Sequence, residues 1–339
     1  MNRRVLLCSI FIATMLGAPE MQAQNTRTKG DKLADKPLFR DPIYDGAADP
    51  VLIWNRKDKL WYMFYTNRRA TDESLPGVLW VHSTAIGIAT SSDGATWKYK
   101  GTANIDFKPD AEPTYWAPDV IEHKGVYHMY LTYVHGSSTN WGLPGTIVHL
   151  TSHDLMNWKY ESSLKLISNK VIDATVMHLP DGRWRMWYID ERKRTLYAES
   201  DNLYHWTDYG VIDGISRCEG PKVFRWKGKY WLVVDEWKGY AVYSSDDALN
   251  WTRQPGNILQ HPGKGLDDYT VALHGDVVVH NDRAWVFYFT HPGRTAPNLP
   301  DNHSTRRSSI QVAELFIDAN QTVYCDRDTP TYINLTKRK

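Results

Sequence analysis

The chain has 339 residues, with 40 Lys and Arg against 39 Asp and Glu, so its net charge is +1. No single-sign field exists to hold nucleic acid or an anionic membrane surface, and 42% apolar with 23% charged residues excludes a disordered chain. Fifteen Trp and 20 Tyr against 8 Phe favour β-strands and surfaces that stack against flat polar ligands such as sugars.

In chain order, Arg3 and Arg4 precede an apolar run from Val5 to Leu16, and Met21-Gln22-Ala23 offers a small residue for cleavage. Residues 1–23 therefore read as a signal peptide, which predicts export to the periplasm or the medium. No other stretch approaches 18 apolar residues, so no membrane span is expected. Residues 24–37 are polar and predict a flexible lead-in to a single domain over 38–335, after which the basic tail frays. Removing the signal leaves Cys218 and Cys325, enough for one disulfide, and the lack of CxxC spacing argues against a zinc cluster.

One pattern recurs five times: a strand, a tight polar turn and an aromatic-rich strand. It spans 49–66, 116–133, 173–190, 219–236 and 274–291. Turn pairs such as Lys124-Gly125, Asp181-Gly182 and Lys227-Gly228 sit between the apolar runs, as in hairpins. A second pattern follows four of the copies, a Ser-containing turn ending in Trp97, Trp158, Trp206 or Trp251. Together they supply about four strands per repeat, and helical periodicity is almost absent. The expected fold is all-β, a five-bladed β-propeller in a single domain, in preference to a sandwich or a β-helix. The four turn tryptophans are expected in the core between blades. The run 308–315 should complete the first or last blade.

Counting back from the aromatic after each turn gives Asp49, Trp116, Asp173, Glu219 and His274 at the openings of the five inner strands. In a propeller these positions meet around one axis, so three acids, an imidazole and an indole converge at one mouth. Carboxyls gathered this way repel one another and shift apart in acidity, which equips a site for glycosidic bond cleavage.

Ala48-Asp49-Pro50, Trp116-Ala117-Pro118-Asp119, Ile172-Asp173-Ala174 and Glu219-Gly220-Pro221 resemble the blade motifs of glycoside hydrolase family 43, over about residues 40–315. More distantly they are similar to the related five-bladed families 32, 62, 68 and 117. The resemblance implies an inverting hydrolase that needs no cofactor, with Asp49 as general base, Glu219 as general acid and Asp173 tuning and orienting the acid. It also implies that His274 sits beside a central water or a calcium ion held through water. His274, Asp276 and His280 alternate on one strand and offer the matching face. The expected substrate is a terminal sugar, an α-L-arabinofuranoside or one of similar shape, on oligo- or polysaccharide of plant or algal origin.

Trp116 is the expected sugar platform, and Trp80, His82 and Trp141, in loops between blades, are expected to shape the subsites. Three features depart from the family or stand apart from it. Ala174 follows Asp173 where Pro is common, 73–87 is an insertion of its own character, and Arg40-Asp41-Pro42 lies ahead of the first blade and reads as chance. Two other functions fit the same fold. One is a carbohydrate-binding propeller without catalysis. The other is a propeller phosphorylase, which needs a basic cluster at the channel, and Arg306-Arg307 is the only close pair near the chain end.

Overall fold

The computed structural model describes residues 27–336; the signal segment 1–23 and the last three residues lie outside them. Five sheets of four antiparallel strands follow one another along the chain, and Asn104–Ile105 adds a parallel fifth strand to the edge of the second. The first blade is Ala47–Asn55, Leu60–Asn67, Ala85–Ser91 and Lys98–Thr102, and the second is Thr114–His123, Val126–Val134, Gly145–Ser152 and Asn157–Ser163. The third runs through Val171–His178, Trp184–Asp190, Thr195–Ser200 and Thr207–Val211, and the fourth through Glu219–Trp226, Lys229–Asp235, Tyr240–Ser245 and Thr252–Ile258. Leu273–His280, Arg283–Thr290, Ser309–Ile317 and Val323–Tyr324 make the fifth. The five-bladed propeller expected from the repeats is thus present. Ser309–Ile317 is the third strand of the last blade, so every blade is continuous in sequence.

Closure comes from the chain ends. Lys32–Leu33 pairs with Tyr332–Ile333, and Ala34 N donates to Thr331 O at 2.9 Å. Ala34 and Leu38 are buried in one apolar cluster with Trp61 and Trp285. The later part of the 24–37 stretch is therefore packed, which corrects the expectation of a flexible lead-in throughout. Its polar composition hid one small apolar anchor, Ala34, a few residues ahead of Leu38. The Arg40-Asp41-Pro42 triplet also has a structural role: buried Asp41 accepts from Ile43 N, Tyr44 N, the Tyr65 hydroxyl and Asn67 Nδ2.

Five apolar clusters fill the five seams between blades. Trp158, Trp206 and Trp251 each pack into the seam before their own blade, and Trp97 packs into the seam that closes the ring. The Ser-containing turns explain their placement. Ser152 Oγ accepts from the amides of Asp154 and Leu155, Asp154 Oδ1 accepts from Met156 and Asn157, and Trp158 Nε1 donates back to Leu155 O. The same bonds recur at Ser200, Asn202 and Trp206. Such side-chain turns fix the direction in which the indole leaves the strand.

Along the channel, the Lys222 ammonium sits between Asp119 and Asp276, at 2.8 and 3.0 Å. The second oxygens of those carboxylates accept the Val176 and Leu52 amides, both at 2.8 Å. Every charge in this buried group is satisfied, and together its bonds reach all five blades. Both cysteines are free; Cys218 lies in the seam between the third and fourth blades, and Cys325 packs against the next one. Among the described residues no helix is long and apolar enough to cross a membrane.

Candidate active site

Each inner strand begins with a bulge, and the bulges build the site. Ala48, Trp116, Ile172 and Glu219 are the last residues paired before the irregularity, and pairing resumes at Val51, Asp119, Thr175 and Lys222. The residues that follow the last pair, Asp49, Ala117, Asp173 and Gly220, all have positive φ, between 41° and 58°. An extra residue bends the strand and re-aims its side chains. Asp tolerates this backbone region, and at Gly220 a Cβ would lie 2.4 Å from the His274 ring.

The register corrects one expectation. Asp49 and Asp173 are equivalent to each other, but Trp116 and Glu219 stand one residue earlier, and the fifth blade has a shorter irregularity, between Leu273 and Gly275. Counting from the aromatic crosses a turn of variable length, with four residues between Asn55 and Leu60 and two between His123 and Val126. Convergence survives this shift. Asp49, Trp116, Asp173, Glu219 and His274 all line one cavity of about 560 Å³. His280 does not join them, and its ring faces the Thr336 carbonyl.

The positions paired with those last residues are Thr66, Thr132, Ile189 and Asp235. They tie each blade to the next. The hydroxyls of Thr66 and Thr132 accept the Ala117 and Asp173 amides at 2.9 and 3.1 Å. Ile189 has no acceptor, so the Asp173 carboxylate itself takes the Gly220 amide at 3.0 Å. Asp235 accepts the His274 amide at 3.0 Å with one oxygen and the Trp237 amide at 2.6 Å with the other.

On one side of the cavity, Arg68 Nη2 donates to both oxygens of Asp49, at 3.2 and 3.3 Å, and His274 Nδ1 lies 3.6 Å from the same carboxylate. Arg68 Nη1 faces His291 Nε2 at 3.3 Å, while His291 Nδ1 lies 2.9 Å from the Arg307 carbonyl. That carbonyl requires a proton on Nδ1, so Nε2 is the acceptor and the ring is neutral. Burial and the nearby Arg294 and Arg68 charges hold its pKa well below the ordinary value. On the other side, Glu219 is contacted by the Lys193 ammonium through Oε1 and by Trp237 Nε1 through Oε2, the latter at 3.2 Å. Burial pushes Asp173 up to about 6; Glu219 and Asp49 add to that rise, and His274 opposes it. Burial likewise raises Asp235 to about 7.

The cavity walls come largely from loops. Trp116 donates from Nε1 to the Val81 carbonyl at 2.7 Å, and exposed Trp141 lies beside it with ring centres 6.1 Å apart. Trp80 belongs to the 73–87 insertion, in a short 3₁₀ turn at Leu79–Val81. Arg306 pins that insertion through the carbonyls of Asp72 and Leu75. Trp80, Trp116 and Trp141 line the cavity, whereas His82 is fully buried behind Trp116 and does not. Arg306 and Arg307 are paired with Asp301 and Asp267, so neither supplies a free cation to the channel.

The donors at His274 are one imidazole and a carboxylate already held by Arg68, while Asp276 and Asp119 are neutralised by Lys222. Among the described residues no three His, Cys, Asp or Glu side chains are grouped closely enough to hold a metal ion. This set does not fit a calcium ion held directly by protein groups. Arg68, Lys193, Asp235, Trp237, His291 and Arg294 also line the cavity and were not anticipated.

Comparison with known proteins agrees with this fold. A thermostable family-43 glycoside hydrolase superposes with a TM-score of 0.64 at 17% identity, covering 86% of this chain and 97% of its own. A family-43 β-xylosidase/α-arabinofuranosidase from a compost microbial metagenome gives 0.64 at 16%, covering 86% and 97%, and a family-43 β-1,3-galactosidase gives 0.62 at 15%, covering 87% and 96%. A probable sucrose-6-phosphate hydrolase of Psychromonas ingrahamii is 27% identical over 189 residues, which is 45% of this chain and 33% of that protein, so the chain spans only about a third of that relative. The model of glycosyl hydrolases family 43 matches residues 39–314, and the chain belongs to that family.

Proposed function

We propose that the protein is an exported glycoside hydrolase that removes terminal sugars by an inverting, acid/base mechanism. The observation that carries this reading is the gathering of Asp49, Asp173 and Glu219 in one cavity, with two of them held on separate sides by different donors. Asp49, fixed by Arg68 and beside His274, is placed to take a proton from the attacking water. Glu219, reached by Lys193 and Trp237, is placed to give one to the leaving oxygen. Asp173, held by the Gly220 amide next to Glu219, keeps the acid oriented. Inversion requires the base and the acid on opposite faces of the ring, with water admitted on the base side.

Loops from the first, second and fifth blades wall the cavity, which suits a pocket for a chain end and hence exo action. The relatives act on xylosides, arabinofuranosides and β-1,3-galactosides by name, and a terminal α-L-arabinofuranoside or similarly shaped sugar remains the first choice. The test is Glu219→Gln against a panel of aryl glycosides and oligosaccharides. The variant should fold normally and lose about 10²–10⁴-fold in turnover of substrates with poor leaving groups, and less with activated ones. Product configuration followed by NMR decides inversion. Full activity in the variant would remove the mechanism.

A further inference from the structure

The cavity contains a cation that the hydrolytic mechanism does not use. Arg294 lies in the loop between the last blade's second and third strands, and its guanidinium stacks 5.7 Å from the Trp80 ring centre at the cavity wall. Its Nε donates to the Thr305 carbonyl at 2.8 Å, which fixes the side chain but leaves the charge unneutralised. Among the described residues no carboxylate lies within ion-pair distance of it. The contrast with its neighbours is sharp. Arg68 is held by Asp49, Arg306 by Asp301, Arg307 by Asp267 and Lys193 by Glu219.

Arg294 also sits among protein atoms and close enough to Arg68 to feel its charge; these two effects press its pKa down to about 10 against the weaker pull of Asp301, whose ion pair is with Arg306. Both guanidinium groups line the cavity and feel each other's charge, and only Arg68 has a carboxylate at ion-pair distance, which leaves a local excess of positive charge. The adjacent His291 is neutral and does nothing to offset it. Such a fork, held open by a carbonyl and an indole face, matches the geometry of a carboxylate, sulfate or phosphate.

We infer that Arg294 and Trp80 form a receptor for an oxyanion carried by the substrate's own terminal sugar. This rests on the proposed hydrolysis of a terminal sugar, and it replaces the neutral arabinofuranoside of that reading with an anionic sugar. The position assigns the anion to the sugar being released rather than to the leaving group. Arg294 neighbours Arg68, which grips the expected base Asp49, whereas Lys193 and Trp237 stand at Glu219, where the leaving group departs. A uronic acid or a sugar bearing a sulfate or phosphate ester presents this chemistry, and a neutral pentose does not. Trp80 belongs to the insertion at 73–87, so the cation's platform lies on a segment outside the repeated pattern of the blades.

The test compares neutral sugars with their charged counterparts: xylose with glucuronate, and galactose with galacturonate and galactose 6-sulfate. Binding is measured by calorimetry on the Glu219→Gln chain and on the same chain carrying Arg294→Met or Arg294→Lys. The charged member of at least one pair should bind ten-fold or more tighter than the neutral one. That ratio should collapse in Arg294→Met, be partly kept in Arg294→Lys, and shrink on adding 0.5 M sodium chloride, roughly as screening requires. Equal binding of neutral and charged sugars overturns the inference, as does a ratio unchanged by Arg294→Met, or no binding by any charged sugar.

A parallel arm adds inorganic phosphate to the wild-type chain with neutral aryl glycosides. Phosphate-dependent turnover that yields a sugar 1-phosphate would assign the cation to a free co-substrate and overturn the inference. The two readings fail separately. Cleavage of neutral glycosides without charge preference keeps the hydrolase and removes the oxyanion receptor. Charge-selective binding with no cleavage keeps the receptor and removes the hydrolase.

Discussion

Asp235 occupies in the fourth blade the position that Thr132 occupies in the second, opposite the last paired residue of the inner strand. Thr132 needs one acceptor for one amide. Asp235 has two, and it spends them on the backbones of His274 and Trp237. The rings of those residues then face two of the cavity's carboxylates, His274 toward Asp49 and Trp237 toward Glu219. One buried carboxyl thus positions a contact to the expected base and a contact to the expected acid.

Replacing Asp235 by Thr restores the usual residue of this position and separates these roles. The hydroxyl can still accept the His274 amide, but the Trp237 amide loses its partner. We expect a folded protein whose kcat falls about 10-fold to 100-fold, in line with the sensitivity of catalysis to small misplacements. Because burial raises Asp235 to about 7, the wild-type kcat/KM profile should carry an inflection near neutrality that Asp235→Thr lacks. A purely structural role predicts an unchanged profile.

The same carboxyl sets a pH trend in stability. Its folded pKa is raised above the unfolded value of 3.8, so its favourable share is complete below about pH 4 and is lost as pH rises through about 7. Asp173, raised to about 6, acts in the same direction. Between pH 5 and 8 the wild-type chain should lose on the order of 2 kcal/mol through Asp235, a loss absent in Asp235→Thr. Denaturant titrations at the two pH values measure the difference, and parallel curves for both chains would contradict the argument.

Lys193 and Trp237 hold Glu219 by its two oxygens. Lys193→Met removes one hold and leaves the other. We expect kcat to fall about ten-fold, because catalysis is sensitive to small misplacements of an acting group. The melting temperature should hardly move, because a partly exposed ion pair contributes about 1 kcal/mol or less. Unchanged turnover would mean that Trp237 alone fixes the carboxyl.

How far the sequence disclosed this molecule depends on how local the signal was. The hairpins and the Ser-to-Trp turns are each encoded within about 20 residues, and Trp158 with Ser152 and Asp154 shows why such a turn recurs. Asp49, Asp173 and Glu219 were legible because they open repeated strands. Arg68, Asp235 and Trp237 escaped because they lie at the far ends of the second strands, where the repeat was not compared. A signal existed there: five residues after the aligned aromatic the chain reads Thr66, Thr132, Ile189, Asp235 and Thr290, and the acid is the odd member. Arg294 had no such signal, since the loops that join the second and third strands differ in length and sequence from blade to blade. His82 misled because its neighbours Trp80 and Trp116 do face the cavity.

A second pH dependence lies away from the site. His128 Nδ1 and His149 Nε2 are 2.9 Å apart in stacked rings between the second and third blades, with Tyr130 and Tyr204 against them. Burial lowers both, His128 to about 4 and His149 to about 3; charge on His123 lowers His128 further, and charge on His128 lowers His149 further. Folded values below the unfolded one mean that their contribution is present above about pH 6.5 and lost as pH falls toward 3–4. Acidification should therefore destabilise the chain by a few kcal/mol over this range. His149→Phe, which keeps the stack, should flatten that slope when unfolding is followed at pH 7 and pH 4.5.

Gly220 separates backbone strain from crowding at the site. Its φ is +52°, and an added Cβ would stand 2.4 Å from Cγ and Cδ2 of His274. Gly182, in the third blade's hairpin turn, also has positive φ, at +89°, but a Cβ there meets nothing within 4 Å. Ala at either position carries the backbone cost, about 1 kcal/mol. Only Gly220→Ala must also push His274 away from Asp49, from which it stands 3.6 Å in the native chain. We expect Gly182→Ala to lower the melting temperature slightly and keep full activity. Gly220→Ala should lose about 2–4 kcal/mol and at least ten-fold in kcat/KM. If the two variants lose activity equally, the His274–Asp49 contact does not contribute to turnover, and the base is held by Arg68 alone.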